Sequence, residues 1–161
     1  DFLAAIRRVP APRVLHTEEF FDVKVGDVTV VGRIDRIDQV AEGRVVITDY
    51  KTGKAQSQED SDESLQLSIY ALAAQRQWKL EPRRLVFYNL ETNQAIETVR
   101  SQKELEKAEQ QVRIAAENIA QGNFDANPGW HCQWCPYRSL CPATEERLFT
   151  IQRALEPTGA N

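Results

Sequence analysis

Two tight turn signals, Gly26-Asp27 and Ala41-Glu42-Gly43, cut the first third of the chain into three runs of β-forming residues. Val23, Val25, Val28, Val30 and Val31 crowd around the first turn, and residues 44–50 follow the second. β-branched runs joined by glycine-bearing turns predict an antiparallel meander with short connections. Residues 52–63 are polar, include Gly53, and predict a loop. Residues 64–78 then predict a helix, with Leu65, Ile69 and Leu72 forming one buried stripe at i, i+4 and i+7. Glu81-Pro82 closes that part. Residues 84–90 predict a strand, 91–94 a turn and 95–100 the return strand.

Ser101 with Glu104 three residues later is a capping-box pattern opening a long helix to about Gln121, stopped by Gly122. Residues 123–142, rich in Pro, Trp and Cys, predict irregular structure. Residues 143–155 predict a final helix, and residues 1–8 the end of a helix cut short by Pro10 and Pro12. These elements make an α/β domain, a small mixed sheet flanked by helices.

A chain of 161 residues is expected to form one domain, with a core over residues 14–121 and a cysteine-rich segment over 128–142. A chain that starts at Asp1 and lacks methionine is expected to be a piece of a longer or processed protein, here the C-terminal part. No apolar run reaches the roughly 18 residues of a membrane span and no secretion leader is visible, so a cytoplasmic protein is expected. The net charge of −4 argues against a protein that passively coats nucleic acid, which carries a basic footprint. It argues less against a nuclease, whose carboxylates bind cations that then meet phosphate.

Two segments concentrate the chemistry: Gly32-Arg33-Ile34-Asp35-Arg36-Ile37-Asp38 and Asp49-Tyr50-Lys51-Thr52-Gly53. Alternate residues of a strand share a face, so Asp49 and Lys51 point the same way. The turn at Gly43 pairs their strand with that of Asp35, and the register allows the two carboxylates to meet. Converging carboxylates repel and gain from a divalent cation between them. An isolated D-x-K is more often a surface ion pair. Arg36 and Asp38 read as a structural ion pair, and Glu18 and Glu19 as solvated surface.

Here the D-x-K has company. "GRIDRID", "DYKTG" and "LQLSIYALA" resemble, in order and spacing, the G-x-x-D-R-I-D, D-Y-K-T-G and Q-x-x-x-Y segments of the RecB-like branch of the PD-(D/E)XK nucleases. The resemblance implies a restriction-endonuclease-like core and a Mg²⁺- or Mn²⁺-dependent deoxyribonuclease. Asp35 and Asp49 would hold the metal through their side chains and Tyr50 through its backbone carbonyl. Lys51 would be the catalytic lysine, and Gln66 and Tyr70, one helical turn apart, would line the site. The branch also carries a histidine ahead of its first strand. That position falls before Asp1, and His16 lies too close to the strand to fill it.

Cys132, Cys135 and Cys141 form C-x2-C-x5-C, and the chain has no other cysteine. Clustered thiols without a secretion signal indicate metal or cluster ligation before disulfides, with zinc and iron–sulfur both open. "HCQWCPYRSLCP" resembles the C-terminal triplet of iron–sulfur RecB-like nucleases, including AddB and the CRISPR-associated exonucleases. That resemblance implies a [4Fe–4S] cluster whose fourth cysteine lies outside this chain. "ESLQLSIYALA" and "LVFYNLE" look like nuclease domains fused to UvrD-like helicases, which implies an exonuclease on single-stranded or unwound DNA in repair and recombination. Two rivals stand beside this: a nuclease fold kept only to hold DNA, and a cluster-bearing interaction module.

Overall fold

The computed structural model describes residues 12–141 and residue 143. The expected helices over residues 1–8 and 143–155 lie outside the described residues, save Ala143. The chain divides into two compact units, Asp1–Glu117 and Asn118–Asn161.

In the first unit, strands β1 (Arg13–Val25), β2 (Val28–Ala41), β3 (Arg44–Lys51), β4 (Glu81–Asn89) and β5 (Gln94–Thr98) form one five-stranded sheet in sequence order. β1, β2 and β3 are the expected antiparallel meander. Gly26 and Gly43 adopt positive φ at its turns, where a side chain would strain the backbone. β3 and β4 run parallel, and β5 returns antiparallel to β4. The sheet is therefore mixed, and helices pack on it: an α/β restriction-endonuclease-like arrangement.

A parallel pair needs a crossover, which here carries α1 (Gln58–Asp62) and α2 (Leu65–Gln77). α1 lies in the segment expected to be a loop. It forms because Ser57 and Asp60 make a reciprocal capping box, which satisfies two N-terminal donors at once. β4 starts three residues earlier than expected and takes in Pro82. Its pairing with β5 begins only at Leu85, so the missing proline N–H breaks no ladder on that side. α3 (Gln102–Ala120) starts at the expected cap, where Glu104 Oε2 accepts from Ser101 N at 2.7 Å.

The core lies between the sheet and α2. Phe21, Ile34, Ile37, Val45, Ile47, Leu67, Ala71, Ala74 and Leu85 are buried there. The expected stripe on α2 is partly wrong, because Leu65 faces solvent and Leu67, Tyr70, Ala71 and Ala74 turn inward. Small alanines on that face let the helix axis approach the sheet closely. α3 adds Leu105 to the same core, and Glu109 pairs with Arg76 of α2.

In the second unit two short 3₁₀ turns, Trp130–Trp134 and Arg138–Leu140, interrupt the expected irregular segment. Among the described residues no helix is long and apolar enough to cross a membrane.

Candidate active site

The site forms at the end of β3 where α2 passes over it. Arg36 pairs with Thr48 across β2 and β3, and one further step of that register sets Asp35 opposite Asp49. A break in alternation makes this possible. Ile34 and Ile37, three residues apart, are both fully buried, which a regular strand cannot do. The facing of β2 switches between them, bringing Asp35 onto the side of Ile37, Ile47 and Asp49. On β1 the residue facing the switch is Glu18, held at φ 50°, a rare conformation for a non-glycine residue. Asp35 is anchored there by Tyr50 N, which donates to its Oδ2 at 2.8 Å.

Asp49 is 3% exposed. Its Oδ1 accepts from Gln66 Nε2 at 2.9 Å and from the Tyr70 hydroxyl at 3.3 Å. Its Oδ2 lies 2.8 Å from Lys51 Nζ as an ion pair, yet this buried oxygen lacks a directed hydrogen bond. Burial pushes the Asp49 carboxyl above the usual carboxylate range; Lys51 opposes that shift and the charge of Asp35 adds to it. Burial likewise pushes the Tyr70 hydroxyl up to about 12, with the Asp49 charge adding to the rise. Tyr70 is thus a neutral donor at ordinary pH.

Gln66 connects the parts. Its Oε1 accepts from Lys51 Nζ at 2.9 Å, and its Nε2 donates to Asp49 and, at 2.8 Å, to the Tyr70 oxygen. An ammonium only donates and a carboxylate only accepts, so this amide has one orientation that satisfies both. Lys51 is further confined by the Phe87 ring, 4.9 Å from Nζ to the centroid. Asp35, Asp49, Lys51, Gln66 and Tyr70 therefore lie in one cluster.

Arg100, which the sequence did not single out, fixes the start of α2. Its guanidinium donates to Ser68 Oγ at 2.8 Å, to Thr98 Oγ1 at 2.9 Å, and to the carbonyls of Ser61, Ser64 and Val99 at 2.7, 3.2 and 3.0 Å. Ser64 caps α2 by accepting from Leu67 N at 3.2 Å. Gln66 lies between two residues that Arg100 holds. No short motif announces Arg100, since Ser61, Ser64 and Ser68 are more than thirty residues away.

Arg36 and Asp38 form the expected ion pair, 2.7 Å apart, and Arg36 Nη1 reaches the Tyr50 hydroxyl at 3.4 Å. Glu19 faces His16 at 3.6 Å. His16 stacks on Trp78 with ring centroids 5.0 Å apart, apart from the acidic pair.

A divalent cation fits the donors at hand. Two opposed carboxylates, one with a buried oxygen lacking a directed partner, are a hard-oxygen set suited to magnesium or manganese. Among the described residues no group of three or more His, Cys, Asp or Glu gathers closely enough to hold a metal by itself. A cation at the acidic pair would therefore complete its shell with backbone carbonyl and water, as magnesium usually does. In the second unit, Cys132, Cys135 and Cys141 are free and half-buried, and Gly129 N donates to Cys132 Sγ at 3.3 Å.

A sequence profile of the PD-(D/E)XK nuclease superfamily matches residues 1–142. A solved structure titled "Crystal structure of SSO0001" is similar, with a TM-score of 0.49 and 19% sequence identity over 80% of this chain. The aligned part is 60% of that protein's length. A search of curated proteins returned no match.

Proposed function

The chain belongs to the PD-(D/E)XK nuclease superfamily, and from that premise we propose that it is a Mg²⁺- or Mn²⁺-dependent deoxyribonuclease acting on single-stranded or unwound DNA. The observation that carries this reading is the ring joining Asp49, Lys51 and Gln66, set opposite Asp35. Together with Asp35, such a ring would offer two negative groups and one positive group to a cation and a phosphodiester.

Asp35, Asp49 and the Tyr50 carbonyl would hold the cation. When bound, it supplies Lewis-acid stabilisation of the phosphate and lowers the pKa of water. The protein's own groups do the rest. Lys51 presents a fixed ammonium to the attacking water or to the charge growing on the phosphoryl oxygens. Gln66 holds that ammonium by a neutral oxygen, so the lysine keeps a partner when it turns from Asp49 toward substrate. Tyr70 donates to Asp49 without giving up its proton. In the overall step water adds to phosphorus, the bond to one ester oxygen breaks, and that oxygen leaves with a proton.

We read the two units as one nuclease domain with its cysteine segment, part of a longer protein that unwinds DNA through a helicase domain or subunit in repair and recombination. The resemblance of "ESLQLSIYALA" and "LVFYNLE" to helicase-fused nucleases supports this. By their resemblance to the iron–sulfur nucleases, the three cysteines would supply thiolates for a [4Fe–4S] cluster completed by a cysteine outside the chain. Iron with absorbance near about 400 nm in anaerobically purified parent protein is expected for that ligand set; full occupancy by zinc without iron would rule it out.

Lys51→Ala tests the core of the reading. It leaves both carboxylates in place, so calorimetry should find divalent binding and gel shifts should find DNA binding retained. Cleavage should fall by a factor of about 10² or more, as for loss of one preorganised charge at the transition state. A folded variant that cuts at the wild-type rate would remove Lys51 from the chemistry, and a wild type that cuts no DNA would transfer the chain to the non-catalytic module.

A further inference from the structure

We propose that Asn89, acting with Glu91, is a positioning residue that clamps the chain where it leaves Lys51 and so holds the lysine in reach of the reacting phosphate. The proposal rests on the nuclease reading above. Both residues stand in "LVFYNLE", whose likeness to helicase-fused nucleases assigns neither of them a role at the site.

Lys51 ends β3 and Asn89 ends β4, and the two are partners in the parallel ladder. Beyond this point the strands part, and a lysine at a strand end would normally sit on fraying backbone. Here three hydrogen bonds prevent it. Leu90 N donates to the Lys51 carbonyl at 2.9 Å. Asn89 Nδ2 donates to the Gly53 carbonyl at 2.9 Å. Glu91 Oε1 accepts from Gly53 N at 2.7 Å. Both backbone polar groups of Gly53 are thus held from the β4–β5 turn, with Gly53 at φ 78°, a conformation that favours glycine.

Asn89 does two separable things. Its Oδ1 accepts from Glu91 N at 3.1 Å, Thr92 N at 2.8 Å and Thr92 Oγ1 at 2.9 Å, which shapes its own turn. A turn-forming asparagine requires no more. Its Nδ2 reaches instead across 36 residues to Gly53, and Asn89 is 3% exposed, so that amide has no access to water as an alternative partner. Lysine has a long side chain with several free torsions. Its ammonium meets Asp49 and Gln66 together only while its Cα is fixed, and the clamp fixes the Cα from the C-terminal side as the β-ladder does from the other.

The two roles come apart in Asn89→Asp, which is isosteric. Oδ1 still accepts its three bonds, while the donor toward Gly53 becomes an acceptor facing a carbonyl. Glu91→Ala removes the other arm at an exposed position, which keeps the test open if the buried substitution unfolds the protein. Steady-state cleavage of single-stranded DNA in Mg²⁺ should show kcat lowered about tenfold in either variant, as for a displaced catalytic group. KM and calorimetric metal affinity should change by less than about threefold. Amide hydrogen exchange at Gly53 should quicken in both, and Glu91→Gln, which keeps the acceptor, should restore kcat.

A purely structural role predicts otherwise: KM and metal affinity would worsen along with kcat, in step with lost thermal stability. That outcome, or unchanged kcat despite faster exchange at Gly53, overturns the proposal. Wild-type protein that cuts no DNA would sink the nuclease reading alone. The clamp would then be read from the Lys51 ammonium resonance, which must broaden in Asn89→Asp if Asn89 positions it and stay sharp if it does not.

Discussion

An Asp49→Asn substitution changes a buried carboxylate into an amide of the same shape, and three terms decide its effect on the metal-free protein. The Asp49 side chain is 4% exposed and that of Lys51 28%, so their attraction is partly screened by solvent and worth about 1 kcal/mol. The bonds that Oδ1 accepts from Gln66 and Tyr70 persist but lose charge assistance, a further cost of about 1 kcal/mol. Against these stands the desolvation of a carboxylate facing Asp35, several kcal/mol in effect. Lys51 is left half-exposed and can turn to water. The balance favours the variant by about 1–2 kcal/mol, the usual size of a gain obtained by dismantling an active site.

At about 2–4 °C per kcal/mol for a chain of this size, Asp49→Asn should melt roughly 2–8 °C above wild type at pH 7.5 with chelator. The pH dependence follows from the raised pKa of Asp49. A carboxyl raised on folding gives its full contribution below the unfolded value, about 3.9. That contribution is lost as pH rises through the folded value. The gap between variant and wild type should therefore close in acid. Mg²⁺ should raise the wild-type melting point and leave the variant unmoved, because bound ligand stabilises only the state that binds it. Circular-dichroism melts at pH 4 and 7.5, with and without Mg²⁺, measure all of this. A variant that melts below wild type at pH 7.5 in chelator, or a gap that persists in acid, would refute the claim that burial of charge dominates the site.

Two other outcomes concern the scaffold. A Cβ on residue 32 would lie 2.5 and 2.8 Å from ring atoms of the buried Phe21, so Gly32→Ala should cost about 1–3 kcal/mol through overpacking; an unchanged urea midpoint would mean the ring has room to move. Arg100→Ala unties the start of α2 by removing the guanidinium bonds to Ser68, Thr98 and the carbonyls of Ser61 and Ser64, so a loss of about 2–4 kcal/mol is expected, with Arg100→Lys recovering part. Equal stability of the alanine variant in chemical denaturation would contradict that account.

The parts of the fold that were legible in sequence are those written locally. The turns at Gly26 and Gly43 follow from a glycine between β-branched runs, and the Ser101–Glu104 cap from two residues three apart. Asp49, Lys51, Gln66 and Tyr70 were legible because strand and helix periods fix which residues share a face. α1 was missed because Gln58–Asp62 holds no apolar residue, so only its cap at Ser57 and Asp60 signals a helix. The inward face of α2 was misjudged because large residues were counted and alanines were not, although it is the alanines that touch the sheet. Asn89, Glu91 and Arg100 were not singled out for the site, although the first two stand in "LVFYNLE": the partners that matter, Gly53 for Asn89 and Glu91, and Ser61, Ser64 and Ser68 for Arg100, lie more than thirty residues away. The switch of facing at Ile34 and Asp35 is also silent, since "RIDRID" alternates in neither sense.

The sheet order has a consequence for how the chain acquires its chemistry in time. β1, β2 and β3 pair through two-residue turns, whereas β3 meets β4 only after some thirty residues of crossover have closed. Pairings near in sequence form faster than distant ones. Asp35 and Asp49 are brought face to face by a local hairpin. Lys51 acquires Gln66, Phe87 and the brace at Asn89 only when the crossover closes. Pulse-labelled hydrogen exchange should accordingly protect β2 and β3 amides before those of β4, and the reverse order would contradict it. A folding chain would thus own its pair of acids, and be able to gather cations, before it owns an ordered lysine.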